Sequence, residues 1–176
     1  MGAHPTPSEF EARTNATYEA LMWALCRPGL ARELPAPGQA GVIETLIDRE
    51  CAAYCEDPAM AELAARTGAE MVAPEKADHL FLTQPPAQLM GLRQGSDLYP
   101  EDGATLVIPA TFASGDHLRL TGPGVNGEVA TTVSGIPHSF WADRQRVMRY
   151  PMGFEVFLLD GTTVIGIPRT TVVEVL

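Results

Sequence analysis

The residues best suited to chemistry lie near the end of the chain, at Arg169-Thr170-Thr171. A guanidinium presents a planar fork of donors that fits phosphate or carboxylate, and neighbouring hydroxyls add more donors. The same fork can instead pair with a local acid, Glu155 or Glu174, and only pin its own loop. Arg119 is a further candidate contact. It precedes Gly122-Pro123-Gly124, whose backbone amides could cradle an anion. Pro123 removes one of those donors and no Walker lysine follows, so a plain turn between strands competes with that reading. Arg144, Arg146 and Arg149 form another basic group on a candidate helix. They read either as a solvated face or as a contact for a partner or a phosphate.

Other residue types offer less. Cys51 and Cys55 stand four apart, which on a helix puts both thiols on one side. Such a pair could bind a metal or cycle in redox, or simply fill apolar space. The four histidines are scattered, and no Gly-x-Ser-x-Gly elbow accompanies the serines. Asp97, Glu101 and Asp102 could hold Mg²⁺ or work as acid and base, but Pro100-Glu101-Asp102-Gly103 reads more simply as a turn. Lys76 is the sole lysine. A Schiff base would have to use it, and its setting, Ala73-Pro74-Glu75-Lys76-Ala77-Asp78, reads as an exposed turn. A pyridoxal-phosphate aldimine is therefore not expected, and no metal or other cofactor is.

Composition narrows the class. The formal net charge of −10 makes nucleic acid a poor partner, because an acidic chain gains nothing from counterion release. Any phosphate ligand must then meet a local group of arginines. Three cysteines, an odd number, argue against a disulfide framework and for a reducing compartment. No apolar run approaches the ~18 to 20 residues that span a bilayer. Met1 to Phe10 shows no basic and apolar leader pattern, so no secretory signal is expected.

The elements that must position these residues follow from periodicity and punctuation. Residues 1–13 read as an extended N-terminal segment, and 14–176 as a single domain. Ser8 and Glu11 have capping-box spacing, but the apolar stripe begins only with Tyr18, Leu21, Met22 and Leu25. Arg27-Pro28-Gly29 stops that helix. Residues 30–34 suit a short strand, and 42–54 a second helix. Asp57-Pro58 opens a third, ended by Gly68. Short strands are expected at 70–73 and 79–83, and a short helix at 86–92. Residues 104–112 and 117–121 read as a hairpin turning at Ala113-Ser114-Gly115-Asp116. Residues 125–136 read as loop and 139–149 as helix. Two β-rich runs flank Asp160-Gly161, and a final strand follows Arg169. The order implies α/β, a mixed β-sheet flanked by helices, with the C-terminus built into it.

Five segments taken together resemble one family. They are Leu21-Met22-Trp23-Ala24-Leu25-Cys26-Arg27-Pro28-Gly29, Pro100-Glu101-Asp102-Gly103-Ala104-Thr105-Leu106, Leu118-Arg119-Leu120-Thr121-Gly122-Pro123-Gly124, Tyr150-Pro151-Met152-Gly153 and Ile167-Pro168-Arg169-Thr170-Thr171-Val172-Val173. In this order they resemble PhnH, the H subunit of the bacterial carbon–phosphorus lyase system for phosphonate breakdown. The resemblance implies a cytoplasmic homodimer that joins subunits G, I and J. It implies a fold like that of pyridoxal-phosphate-dependent transferases, without the cofactor. It also implies a part in making ribose 1-phosphonate 5-triphosphate from a nucleoside triphosphate and a phosphonate, in a multisubunit transferase whose catalytic residues sit on partner subunits. On that reading Arg119, Gly122, Gly124, Arg169 and Thr170 are candidate ligand or interface residues. Two alternatives stand beside it: a subunit that itself grips the triphosphate through Arg169, and a free-standing small-molecule binding domain.

Overall fold

The computed structural model describes residues 6–176. Helix α1 spans Glu9–Cys26 and opens on a complete capping box. Ser8 Oγ accepts from the Glu11 amide at 3.2 Å, and the Glu11 carboxylate accepts from the Ser8 amide at 2.7 Å. Residues 9–13 are therefore helical, not extended, and the rest of that expected segment is partly outside the described residues. The buried face of α1 is Thr17, Ala20, Leu21 and Ala24. Tyr18 and Met22, expected inside, are exposed. Small residues win the inner face because β9 (Thr163–Ile167) runs directly under the helix. A Cβ on Gly166 would lie 2.5 Å from the backbone of Ala24, so only glycine permits this approach.

The central sheet has seven strands in the order β1-β9-β8-β5-β4-β2-β3. The remaining members are β1 (Arg32–Glu33), β2 (Ala52–Cys55), β3 (Glu70–Met71), β4 (His79–Phe81), β5 (Thr105–Pro109) and β8 (Glu155–Asp160). The β2-β3, β2-β4, β4-β5 and β5-β8 pairings are parallel, and β9 is antiparallel to both its neighbours. Buried residues alternate between two cores, as expected where both faces of a sheet are covered. Phe81, Val107, Phe157 and Leu159 face α1, α2 (Ala40–Leu46) and α3 (Pro58–Arg66). Leu80, Leu82, Leu106, Ile108, Val156 and Leu158 face the opposite side. That side is covered by α4 (His138–Val147) and a three-stranded antiparallel sheet, β10-β6-β7, formed by Val172–Val175, Thr111–Thr121 and Val129–Ser134. The molecule is thus a mixed α/β structure with a mixed sheet flanked by helices.

Several local expectations fail for identifiable reasons. The helix expected over 42–54 is only α2, and the chain then becomes β2, because Ala53 must enter the sheet fully buried. The expected hairpin at 113–116 is a register shift inside the long strand β6, with Ala113 at φ 61°. β6 pairs instead with β7, in a region expected to be loop, on one side and with β10 on the other. Residues 86–92 form turns, not a helix. Conversely, Asp57 caps α3 through the amides of Ala59 and Met60, the Asp160-Gly161 turn joins β8 to β9, and the C-terminal β10 pairs with β6.

At the carboxyl ends of β4 and β5, the Gln39 side-chain amide donates to Leu82 O at 2.8 Å and Val107 O at 3.1 Å. Beside it Glu56 accepts from both the amide and the hydroxyl of Thr83, each at 2.6 Å.

Candidate functional site

The register of β8 with β9 places the Arg169 loop. Val156 pairs with Ile167, so Glu155 stands next to the residues that follow β9. Its carboxylate accepts from the Arg169 amide at 2.6 Å and forms an ion pair with the guanidinium, Nε lying 2.8 Å away. Arg169 Nη1 also donates to Pro100 O, so the Pro-Glu-Asp-Gly turn is an anchor for this arginine. The structure therefore places Arg169 in a clasp with Glu155. Arg119, on β6, faces Glu174 across the pairing with β10. That pair is largely solvated, and Glu174 raises the Arg119 pKa. Gly122 belongs to the turn that abuts the Arg169 loop: at φ 123°, its Cβ position lies 2.8 Å from Thr170 O. Gly124 backs onto the end of α1 in the same way, against Cys26 O. The Gly-Pro-Gly turn is thus wedged between α1 and the loop.

Arg144 completes this region, and its role was not legible from its position among three arginines. It is 3% exposed. Nη1 donates to Thr171 O at 2.9 Å and Nη2 to Pro168 O at 2.7 Å, so the guanidinium holds the loop from the α4 side. Among the described residues it forms no ion pair. Burial pushes its pKa down to about 10, partly offset by the nearby charge of Glu155. Arg146 and Arg149 behave differently: both are exposed and face Asp143 and Asp97.

Between α4 and the loop lies a cleft of about 290 Å³. Pro123, Trp141, Met148, Val172 and Val173 give it an apolar lining, and Arg144, Arg169, Thr170 and Thr171 its polar groups. Trp141 Nε1, Arg144 Nε and Thr171 Oγ1 are all buried without a hydrogen-bond partner. An unmet buried donor typically costs about 1–3 kcal/mol. A second cleft, of about 360 Å³, opens at the carboxyl ends of the parallel strands beside Gln39, Asp57, Leu82, Thr83 and Pro109. Its polar side chains Gln39, Asp57 and Thr83 are engaged within the protein.

Residues 8–174 match the family model described as bacterial phosphonate metabolism protein, PhnH. The chain belongs to the PhnH family. A protein named putative C–P lyase subunit protein HtxG, from Stutzerimonas stutzeri, is 33% identical over 167 residues, covering 90% of this chain and 85% of that relative. All five segments that suggested PhnH lie within the matched span.

In this PhnH-family chain the remaining candidates are not drawn together. Cys51 precedes β2 and Cys55 ends it, so the two do not share a helix face. Burial raises the pKa of both thiols, that of Cys55 to about 11, which keeps them protonated and poorly nucleophilic. Among the described residues, no group of three or more His, Cys, Asp or Glu side chains is placed to hold a metal ion. Glu101 and Asp102 stand exposed on the turn that anchors Arg169. No helix among the described residues is long and apolar enough to cross a membrane. One surface feature does stand out. Tyr18, Met22 and Trp23 are exposed on α1, beside Cys26 and Arg27, and the Arg32 guanidinium lies 3.5 Å from the centre of the Trp23 ring.

Proposed function

We propose that this chain is a subunit of a bacterial carbon–phosphorus lyase complex in phosphonate catabolism, and that its contribution is assembly. Its partners are subunits G, I and J, and it pairs with a second copy of itself. In the cytoplasm that complex forms ribose 1-phosphonate 5-triphosphate from a nucleoside triphosphate and a phosphonate, with the reacting groups on the partner chains. Membership of the PhnH family and the name of the HtxG relative support the complex.

The observation that carries the assembly role is the doubly apolar character of α1. One face of the helix is buried in the core, yet Tyr18, Met22 and Trp23 stand open on another. A contiguous exposed apolar patch on a charged protein marks a contact surface. The proposal includes a fold like that of pyridoxal-phosphate-dependent transferases, supported by the seven-stranded, mostly parallel sheet. It includes no pyridoxal phosphate, since Lys76 stands exposed on a 3-10 turn.

The test is co-expression with G, I and J. Wild type is expected to copurify with them, and a Tyr18→Glu, Met22→Glu variant to keep its Tm but lose association. A wild-type chain that fails to associate rejects the lyase role. A variant that associates as well as wild type rejects α1 as the surface. The rival idea, a triphosphate held by Arg169 and Arg119, is disfavoured because both guanidiniums are already met by carboxylates. An Arg169→Ala variant that folds but loses nucleotide binding would restore it.

A further inference from the structure

Five side-chain polar atoms among the described residues are buried and unpartnered, and three of them belong to residues that line one cleft. Native folds leave few such groups, and each calls for an explanation. Trp141 Nε1 and Arg144 Nε can only donate, and Thr171 Oγ1 can donate. Trp141 and Arg144 lie one turn apart on α4, while Thr171 comes from the loop opposite, so the donors do not lie in one line. The Arg144 guanidinium is nearly sealed from solvent and meets only carbonyls, while the one carboxylate at hand, Glu155, is taken by Arg169. This corner therefore carries an unbalanced positive charge inside a protein of net charge −10.

From this we infer that the cleft between α4 and the 168–173 segment binds a small organic molecule with a tetrahedral oxyanion head, a phosphonate or a phosphate ester. The oxygens take the hydrogens of Trp141, Arg144 and Thr171, and the organic substituent lies on Met148, Pro123 and Val173. A three-oxygen head serves donors arriving from two elements better than a planar carboxylate does. About 290 Å³ admits such a molecule and not a polymer. The three atoms are closed to water in this structure, so binding requires the cleft lining to shift, and the exposed Gln145 and Tyr150 side chains line the same cleft.

This deepens the phosphonate reading by naming a ligand class and its site. It is tested on the isolated chain, so its failure leaves copurification with G, I and J untouched, and the reverse also holds. Methylphosphonate, methyl phosphate and acetate are titrated into the full chain and followed by calorimetry and by NMR of the Trp141 indole. Methylphosphonate or methyl phosphate is expected to bind and to shift the indole signal, and the tighter of the two names the ligand's source. Thr171→Val, which should fold unchanged, is expected to weaken binding by at least about tenfold, or ~1.4 kcal/mol. Trp141→Phe should do the same, while Arg119→Ala, outside the cleft, should bind like wild type. The proposal is overturned if neither phosphorus compound binds at millimolar concentration. It is equally overturned if acetate binds as tightly, or if Thr171→Val binds as well as wild type.

Discussion

The two clefts differ in a way their sizes do not reveal. The larger one sits at the carboxyl ends of the parallel strands, the customary ligand position in open α/β sheets. There Gln39 bridges two strand ends, Glu56 closes onto Thr83, and Asp57 caps α3, so the donors and acceptors are spent on the fold. The smaller cleft leaves three donors unmet around an unpaired guanidinium. Unfilled hydrogen-bonding capacity, more than volume, separates a hollow built to hold the protein together from one built to hold something else.

The strongest challenge to this contrast is Arg144→Leu. It removes two charge-assisted hydrogen bonds and takes this donor from Thr171 O, while Pro168 O keeps the Thr171 amide. A loss of about 3 kcal/mol is expected, which should lower Tm by roughly 6–12 °C. An unchanged Tm would mean that Arg144 does not hold the loop. Gln39→Leu tests the larger cleft, where Leu82 O would lose the donor it takes from Gln39 while Val107 O keeps the Leu82 amide. Denaturant unfolding should show a loss of about 2 kcal/mol. If it shows none, that cleft is not structurally committed. The two threonines sharpen the comparison further. Thr83→Val deletes a hydroxyl that donates to Glu56 and should cost about 1 kcal/mol, whereas Thr171→Val deletes a buried, unpartnered hydroxyl and should leave stability unchanged or raise it. Equal losses at both sites would dissolve the distinction.

The smallest effect concerns His79, whose buried Nδ1 is also unpartnered but faces neither cleft. Burial lowers its pKa below 6.5, against the opposing pull of Asp78 and Asp48. As pH falls below 6.5, the unfolded chain takes up a proton that the folded chain refuses, so stability falls until the lowered folded pKa is reached. Above 6.5 the residue is neutral in both states and contributes no slope. His79→Gln should flatten the decline in chemical-denaturation midpoints on the acid side of 6.5. A decline as steep as wild type's would place its origin in other groups.

Much of the framework could be read from the sequence because its signals are local. Asp57-Pro58 announces a helix start, Asp160-Gly161 a reversal, and the runs at 155–160 and 163–167 are apolar enough to be buried on both faces. Local signals failed where a distant contact decides. Tyr18 and Met22 are as apolar as Leu21, and only the close passage of β9 beneath α1 sends them outward. Ala113 to Asp116 has the composition of a turn, yet the pairing of β6 with β7 absorbs it as an irregularity. Of the residues named for chemistry, Arg169 and Thr170 do line the smaller cleft, and Gly122 braces its loop, while Arg119 stands outside it. Arg144 could not be singled out from Arg146 and Arg149, because the carbonyls that bury it lie 24 and 27 residues further along the chain. The sequence offers the Thr171 hydroxyl as a donor beside Arg169, but nothing in it marks that atom, or the Trp141 indole nitrogen, as buried and unmatched.

The segment from Pro168 to Thr171 is also a rivet. It carries the chain out of the seven-stranded sheet and into the last strand of the three-stranded one. Glu155, at the start of β8, grips it from the large sheet, and Arg144 grips it from α4. Sliding one sheet over the other would shear charge-assisted bonds on both sides at once. The amides of β10 should therefore exchange with solvent at rates close to those of β9, as parts of one cooperative unit, although β10 closes the edge of a small sheet and would otherwise be the first strand to fray.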